Sequence, residues 1–515
     1  MSDRDLTNGV PITDLRDGEM LAGSLGEDQI LLARLGDEVY AVAATCTHYS
    51  GPLAEGALVN GTVRCPWHHA CFDLRTGAVL RAPAPAPLAR WQVERRGDRY
   101  FIGGKLEPET PTPSAGPENV VIVGMGAAGI NVAVTLRAEG YGGRIVMISR
   151  ETDLPYDKPN LSKDYLAGHA PAEWLPVHPR EYYDEQHIEL RFGAVVSSID
   201  TAAKYITIEP DERLPFDALV FAAGTEPRLL PVPHEGVHYL RTRRDAERLV
   251  ELAGTSKRAV VIGSGFIGLE TAASLRQRGL GVTVISPDRL PLQRVMGDEV
   301  GARILAIHEA HGVAFRFSRT VTAVEAGSVL LDDGSRLEGD LIVAGIGVTP
   351  AVDVARAAGI HVEKGIVVNE YLETSAPNVW ACGDIASWPD ARSGPDARSG
   401  TSLRVEHWVV AGRQGQTVAR NILGRRERFD AVPFFWSAHY DVTINYLGNA
   451  AGWETVEVLG SLDKNDATIV YRRGANVLAV ATIGRDSVSL AAEQAMERGD
   501  VTALNALLSE HETET

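Results

Sequence analysis

Cysteine is scarce in this chain: four in 515 residues, at Cys46, Cys65, Cys71 and Cys382. A disulfide-rich framework is excluded, and nothing else points to an oxidising compartment. Cationic residues are outnumbered, 50 lysines and arginines against 68 aspartates and glutamates, for a net charge of −18. That balance argues against nucleic acid or an anionic membrane as partner. No apolar run reaches the roughly 18 residues that a membrane-spanning helix needs. The opening MSDRDLTNGV has neither the basic nor the apolar region of a signal peptide, so a cytoplasmic location is expected. What is present is the composition of a globular protein, 44% hydrophobic and 23% charged, at a length that calls for several domains.

The few cysteines are not scattered. In ATCTHYSGPLAEG (44–56) one residue separates Cys46 from His48, and in RCPWHHACFD (64–73) two separate Cys65 from His68; sixteen lie between the pairs. Three readings compete. A Cys46–Cys65 disulfide leaves the histidines without a purpose. Zinc accepts two sulfur and two nitrogen donors, although structural zinc sites usually show CxxC and HxxxH spacings. A Rieske 2Fe–2S centre has two cysteines on one iron and two histidines on the other, so each loop must give one ligand to each iron. Cys46, His48, Cys65 and His68 meet that requirement and are the expected metal ligands, with zinc as the alternative. PLAEG and CPWH resemble the Rieske family, in which two ligand loops fold over the cluster. High-potential members carry an extra cysteine in each loop, joined as a disulfide; Gly51 and Trp67 stand at those places here. The resemblance is therefore to the lower-potential branch, near the bottom of the Rieske range at about −150 mV. Such a cluster can take electrons from a flavin and is poorly suited to oxidising a quinol. Cys71 is left over and reads as a small buried hydrophobe.

Composition divides the rest. Residues 1–105 read as short strands and turns, and RAPAPAPL (81–88) is assigned to them as a proline-bearing loop over the cluster. LEPETPTPSAGPE (106–118), rich in proline and acid, is the expected linker. An α/β pattern follows. NVVIVGMGAAGINVAVTLRAEG places Gly124, Gly126 and Gly129 after a buried strand and at a helix start. That spacing suits a tight turn, close backbone approach to a pyrophosphate, and a helix N-terminus facing its charge. The next strand, RIVMIS, ends beside Arg150 and Glu151; Glu151 stands where an acid takes a ribose hydroxyl, with Arg150 the neighbouring candidate. KRAVVIGSGFIGLETAASLRQRGLGVTVISPDR repeats the pattern with Gly263, Gly265 and Gly268. A glycine turn that only packs helix on sheet explains one copy as well; two copies imply two nucleotides, commonly FAD and then a nicotinamide cofactor.

Further segments carry a wider resemblance. LVFAAGTEPRLLPVP and LIVAGIGVTP look like the two crossings between FAD and NAD domains. NVWACGDIA resembles a late FAD motif, LPYDKPNLSKDYL the segment running along the isoalloxazine, and VEHWVVAGRQGQTVARNILG with VPFFWSAHYD the last FAD contact and the start of a C-terminal domain. From about 118 to 515 the chain resembles the flavoprotein reductases of oxygenase systems and of apoptosis-inducing factor. With the Rieske unit in front, it is similar to the Rieske-bearing, apoptosis-inducing-factor-like group. The resemblance implies an all-β Rieske domain (1–105), a linker (106–118), an FAD-binding domain (119–240 and 351–430), an NAD(P)-binding domain (241–350) and an α+β C-terminal domain (431–515). The two nucleotide domains would be α/β and Rossmann-type, in a glutathione-reductase-like fold.

Residue roles follow from the same resemblance. Lys163 and Glu270 would face each other near the flavin as the catalytic ion pair; the competing reading of Glu270 is an exposed helix carboxylate. Asp384 would bind the ribitol chain, and Glu406 and His407 would make the last flavin contacts. Lys158 stands where relatives usually carry arginine, and Gly347 belongs to the nucleotide-binding set. Trp408 and Trp436 either stack near the flavin or fill core. Ser286 occupies the place of an acid that would favour NADH, while Asp288 suits a 2′-hydroxyl and Arg289 a 2′-phosphate; NADH is favoured on resemblance.

Disulfide reductases of this superfamily need a CxxC or CxxxxC dithiol beside the flavin, and none occurs here. The expected route is NAD(P)H to FAD to the 2Fe–2S cluster to an external acceptor, a ferredoxin- or oxygenase-type protein or a small oxidant. Flavin joins the two-electron donor to the one-electron cluster. The alternative is a redox-sensing, apoptosis-inducing-factor-like interaction protein with slow turnover, whose reduced state changes its partners; a homodimer is among the arrangements that fit.

Overall fold

The computed structural model describes residues 4–390 and 402–510. The apolar runs in DQILLARL and EVYAVA make Asp28–Leu35 and Glu38–Ala43 an antiparallel pair inside a six-stranded sheet. Both faces of this sheet are covered. Ile30 and Leu32 pack with Trp91 and Tyr100 on one side, while Leu31 and Ala33 pack with Phe72 and Val63 on the other. The second core joins it to a four-stranded meander, Ala57–Val59, Thr62–Arg64, Cys71–Asp73 and Val79–Arg81. One ligand loop leaves Glu38–Ala43 and the other connects Thr62–Arg64 to Cys71–Asp73.

Beyond it lie two five-stranded parallel sheets of the same plan. In the first, Asn119–Val123 is central, flanked by Arg144–Ile148 and Ala218–Phe221, with Ile188–Arg191 and Val379–Ala381 at the edges. In the second, Arg258–Ile262 is central between Gly281–Ser286 and Leu341–Ala344, with Ala314–Phe317 and Val237–Tyr239 outside. The central strands NVVIV and RAVVI are nearly all apolar because both faces of a parallel sheet are covered. The second sheet is inserted between strands of the first, and begins at Val237–Tyr239, ahead of residue 241. Thr225–Pro227 and Val348–Pro350 pair antiparallel where the chain leaves and returns.

The expected linker is anchored at its far end: Ser114 bridges to Tyr141, whose hydroxyl donates to the Pro117 carbonyl. Helix Trp408–Ile422 packs on helix Ala127–Ala138 so closely that a Cβ at Gly415 would lie 2.3 Å from the Ala128 carbonyl oxygen. The chain ends in a five-stranded antiparallel sheet, led by Phe434–His439, and helices Asp486–Arg498 and Val501–Glu510. Among the described residues no helix is long and apolar enough to cross a membrane.

Candidate functional site

The two cysteine–histidine loops have one shape. The Cys46 amide donates to the Gly51 carbonyl, and the Cys65 amide to the Ala70 carbonyl, each spanning five residues. The residue four after each cysteine, Ser50 or His69, takes a positive φ, 59° and 57°. Matched loops bring like donors together. Cys46 and Cys65 are both buried, free of disulfide and near enough for each to shift the other's ionisation, and His48 Nδ1 faces His68 Nδ1 at 3.1 Å. Among the described residues no three Cys, His, Asp or Glu side chains converge on one point. The donors therefore form a thiol pair and an imidazole pair, which suits two irons better than one tetrahedral zinc. Burial pulls the His48 imidazole down to about 3, leaving it neutral as a metal ligand must be. A Cβ at Gly51 would meet Cys65 Sγ at 2.8 Å and the Trp67 ring at 3.2 Å, so the indole packs where a bracing disulfide would stand. The proline loop straps the first ligand loop through a 2.6 Å bond from Thr47 to the Ala86 carbonyl.

Each glycine triplet divides three tasks in the same way. Gly124 and Gly263 turn at φ 116° and 113°. A Cβ on Gly129 or Gly268 would strike the carbonyl oxygen of that first glycine at 2.0 or 2.2 Å, which sets helix tightly against strand. At Gly265 a Cβ would meet nothing within 4 Å, and at Gly126 only Lys158 Cε at 4.0 Å. The middle glycine of each triplet thus bares its backbone to open space at a helix N-terminus, a cradle fit for pyrophosphate. Over the first cradle Lys158 Nζ bonds Glu151 at 2.8 Å, and Tyr156 holds the other carboxylate oxygen at 2.6 Å. Asp384 lies 3.2 Å from Arg241 and 3.3 Å from Thr225. His407 caps helix Trp408–Ile422 with its Nδ1 buried and without a hydrogen-bond partner, while Glu406 pairs with Arg404 at 2.7 Å. Gly347 turns at φ 102° beside the crossing strands. Arg150 pairs with Glu226 at the surface, away from Lys158.

Glu270 is not an exposed helix carboxylate: it is 2% exposed. Lys163 Nζ at 2.9 Å and Ser162 Oγ at 2.5 Å hold one carboxylate oxygen, and Ser437 Oγ at 2.6 Å holds the other. Ser437 belongs to strand Phe434–His439, whose alternation reads two sites at once. Phe434 stacks on His69 at 4.2 Å and Trp436 lies 4.1 Å from the His68 ring, both toward the ligand loops. Phe435 packs on Phe266 and Ser437 bonds Glu270, both toward the second glycine turn. The Lys163 ammonium sits 5.9 Å from the Trp436 ring.

Sequence reading left Trp408 and Trp436 undivided; the first fills core and the second stands between the two sites. It missed Arg241, one of several arginines in LRTRRD with nothing local to single it out. It also missed Tyr49, whose hydroxyl donates to partly buried Asp157 across the domain junction. At the second nucleotide turn Ser286 is buried against Ser264 at 2.7 Å, Asp288 is held by Arg294 at 2.7 Å, and Arg289 extends outward.

Three family models match the chain in succession. Residues 9–92 match the Rieske [2Fe-2S] domain, 118–415 the pyridine nucleotide-disulphide oxidoreductases, and 434–513 the reductase C-terminal domain. Apoptosis-inducing factor 3 of Homo sapiens is 32% identical over 93% of this chain and 81% of its own length. Putidaredoxin reductase of Pseudomonas putida is 37% identical over 72% of this chain and 89% of its own. Among solved structures, the covalent putidaredoxin reductase–putidaredoxin complex superposes with a TM-score of 0.71 at 34% identity, covering 77% of this chain and 99% of that one.

Proposed function

This chain belongs to the pyridine nucleotide-disulphide oxidoreductase family and carries a Rieske domain, and from that premise we propose that electrons pass within it from nicotinamide through FAD to the cluster and then to a ferredoxin- or oxygenase-type acceptor. The chain is an NAD(P)H-dependent flavoprotein oxidoreductase, with FAD, NAD(P)H and a 2Fe–2S cluster as its cofactors. In our reading residues 119–236 and 351–430 hold FAD in a Rossmann-type domain, and 237–350, which include the edge strand Val237–Tyr239, hold the nicotinamide cofactor in another. Gly124, Gly126, Gly129, Glu151, Lys158, Asp384, Glu406 and His407 serve the first; Gly263, Gly265, Gly268 and Gly347 serve the second. Asp288, partly buried at the strand end, favours NADH over NADPH, since Arg289 is exposed and directed elsewhere.

FAD supplies the conversion of a hydride into single electrons. The chain's own residues supply position. Lys163 and Glu270, fixed by two serines, orient the reacting rings and keep them from water. Cys46, His48, Cys65 and His68 hold the cluster. The observation that carries the proposal is Trp436: one indole touches the ligand histidines on one side and faces Lys163 on the other.

Rapid mixing with NADH should bleach the flavin first and the Rieske absorbance second. A cluster that stays oxidised beside fully reduced flavin through many turnovers would sink the intrachain route. The order of the two nucleotide sites has its own check. Gly126→Leu should lose FAD, because its side chain fills the first cradle, while Gly265→Leu should keep FAD and weaken NADH binding. Equal FAD loss in two folded variants would reverse the assignment.

A further inference from the structure

Glu270 is joined to more than Lys163. Ser437, His439 and His308 continue from it as a buried file. Ser437 Oγ is 2.6 Å from Glu270 Oε1, His439 Nε2 is 3.3 Å from Ser437 Oγ, and His308 Nε2 is 3.2 Å from His439 Nδ1. All three relay residues are fully buried, and they come from two separate elements, strand Phe434–His439 and helix Asp298–Ala310. Ser437 helps fix Glu270, but nothing in the electron route needs the two histidines behind it.

The hydrogen-bond directions are forced. A carboxylate can only accept, so the Ser437 hydroxyl spends its single proton on Glu270. Ser437 must then accept from His439 Nε2–H, which leaves His439 Nδ1 to accept from His308 Nε2–H. Burial holds both imidazoles down to about 3, so each is neutral, with one donor and one acceptor. Every donor points inward, and His308 Nδ1 remains as a buried acceptor without a partner. Beside it the Tyr440 ring stands 5.3 Å from His308, and exposed His311 stacks on Tyr440 at 3.6 Å, one helical turn nearer the surface.

We propose that Ser437, His439 and His308 form a proton relay that carries one proton from solvent to Glu270 Oε1 when the buried redox site is reduced. A proton bound at His308 Nδ1 releases His308 Nε2–H to His439 Nδ1. His439 Nε2–H passes to Ser437 Oγ, and the Ser437 hydroxyl proton passes to Glu270 Oε1. Each relay group gains one proton and gives one up, Glu270 gains one, and solvent loses one. No electron moves along the file. The proton offsets the negative charge that a hydride brings into a site too buried for water to screen it. This inference rests on the proposed placement of Glu270 and Lys163 beside the flavin.

The test uses the FAD-loaded full chain, mixed rapidly with NADH in weak buffer containing a pH-indicator dye. Flavin absorbance and dye are read together. In the native protein one proton per chain should leave solvent as the flavin bleaches. In His439→Gln the proton phase should lag bleaching by about tenfold or more, as expected when a positioned acid–base group is lost. Glutamine keeps a donor and an acceptor in place but does not exchange one proton for another. FAD retention and the oxidised flavin spectrum should therefore be unchanged. In Glu270→Gln the uptake should vanish. His308→Ala should lag likewise and recover on adding imidazole, and it carries the test if glutamine at 439 is not tolerated. Uptake that keeps pace in both histidine variants, or a native protein that takes up no proton, would overturn the relay. Flavin that NADH does not bleach counts against the proposed function instead, and photoreduction then reads the same proton phase.

Discussion

Cys65→Ser is expected to yield a yellow protein, free of iron and acid-labile sulfide, that still binds FAD and is still bleached by NADH. The thiolate is the soft ligand that an iron–sulfur cluster requires, and a serine hydroxyl is a poor substitute. Cys65 is 1% exposed and shares its pocket with Cys46, so the surviving thiol cannot recruit a replacement from solvent. The loop itself should persist, because the bond closing it runs from the backbone amide of residue 65 to Ala70. The apolar core around Cys46 and Cys65 is distinct from the one beneath the first glycine turn. Loss of the cluster should therefore leave the flavin half folded. Metal analysis and the visible spectrum read both halves of this expectation. One zinc and no iron in the native protein would refute the ligand assignment. Loss of FAD from Cys65→Ser would show that the two cores are not independent.

Motifs whose chemistry is local were legible from the sequence. The cysteine–histidine loops and the glycine triplets each carry their reason within about ten residues: donor type, positive φ, and a backbone that must stay bare. What was not legible depends on distant partners. For Glu270 the resemblance gave the partner, Lys163, with an exposed carboxylate as the competing reading; what the sequence did not show is Ser437, which holds the other carboxylate oxygen from far along the chain. FFWSAH shows alternation, but the sequence does not say that one face meets the ligand histidines and the other the second nucleotide turn. Glu493 is the extreme case. In LAAEQAMERG it reads as an ordinary exposed helix position, yet it is fully buried.

That burial underlies the second large expected effect: Glu493→Ala should loosen the Rieske domain from the rest of the chain. The carboxylate lies 2.7 Å from Arg413 Nη1, 3.0 Å from His69 Nδ1 and 3.7 Å from Arg64 Nη1. Arg413 also donates to the His69 carbonyl at 3.2 Å, one residue beyond His68, a proposed cluster ligand. Glu497, one turn on, pairs with Arg64 at 2.9 Å and with Arg81. A single helix of the C-terminal domain thus clamps the second ligand loop and the flavin-side helix Trp408–Ile422 together. Burial alone would raise the Glu493 carboxyl, but Arg413 and His69 outweigh it and hold the group well below the usual carboxylate range. Removing one member of a buried charge cluster strands the others, at a cost of about 3–5 kcal/mol. Glu493→Gln, which keeps hydrogen-bonding capacity, should cost less. The pH dependence has a definite sign. A carboxyl with a depressed folded pKa contributes its full stability above its unfolded value of about 4.3 and loses it as pH falls toward the folded one. Acid should therefore weaken the clamp in the native protein, and Glu493→Ala should lose less stability over that window, the remainder coming from other carboxyls such as Glu151 and Glu189 that are also held below their usual range. Denaturant unfolding, with proteolysis in the exposed part of the linker as the reporter of docking, measures both. The electron route adds a third reading: if the clamp sets the distance from Trp436 to the histidines, flavin bleaching in Glu493→Ala should keep its rate while cluster reduction slows. A variant as stable as the native protein, with both phases unchanged, would mean that the domain is held by its apolar contacts alone.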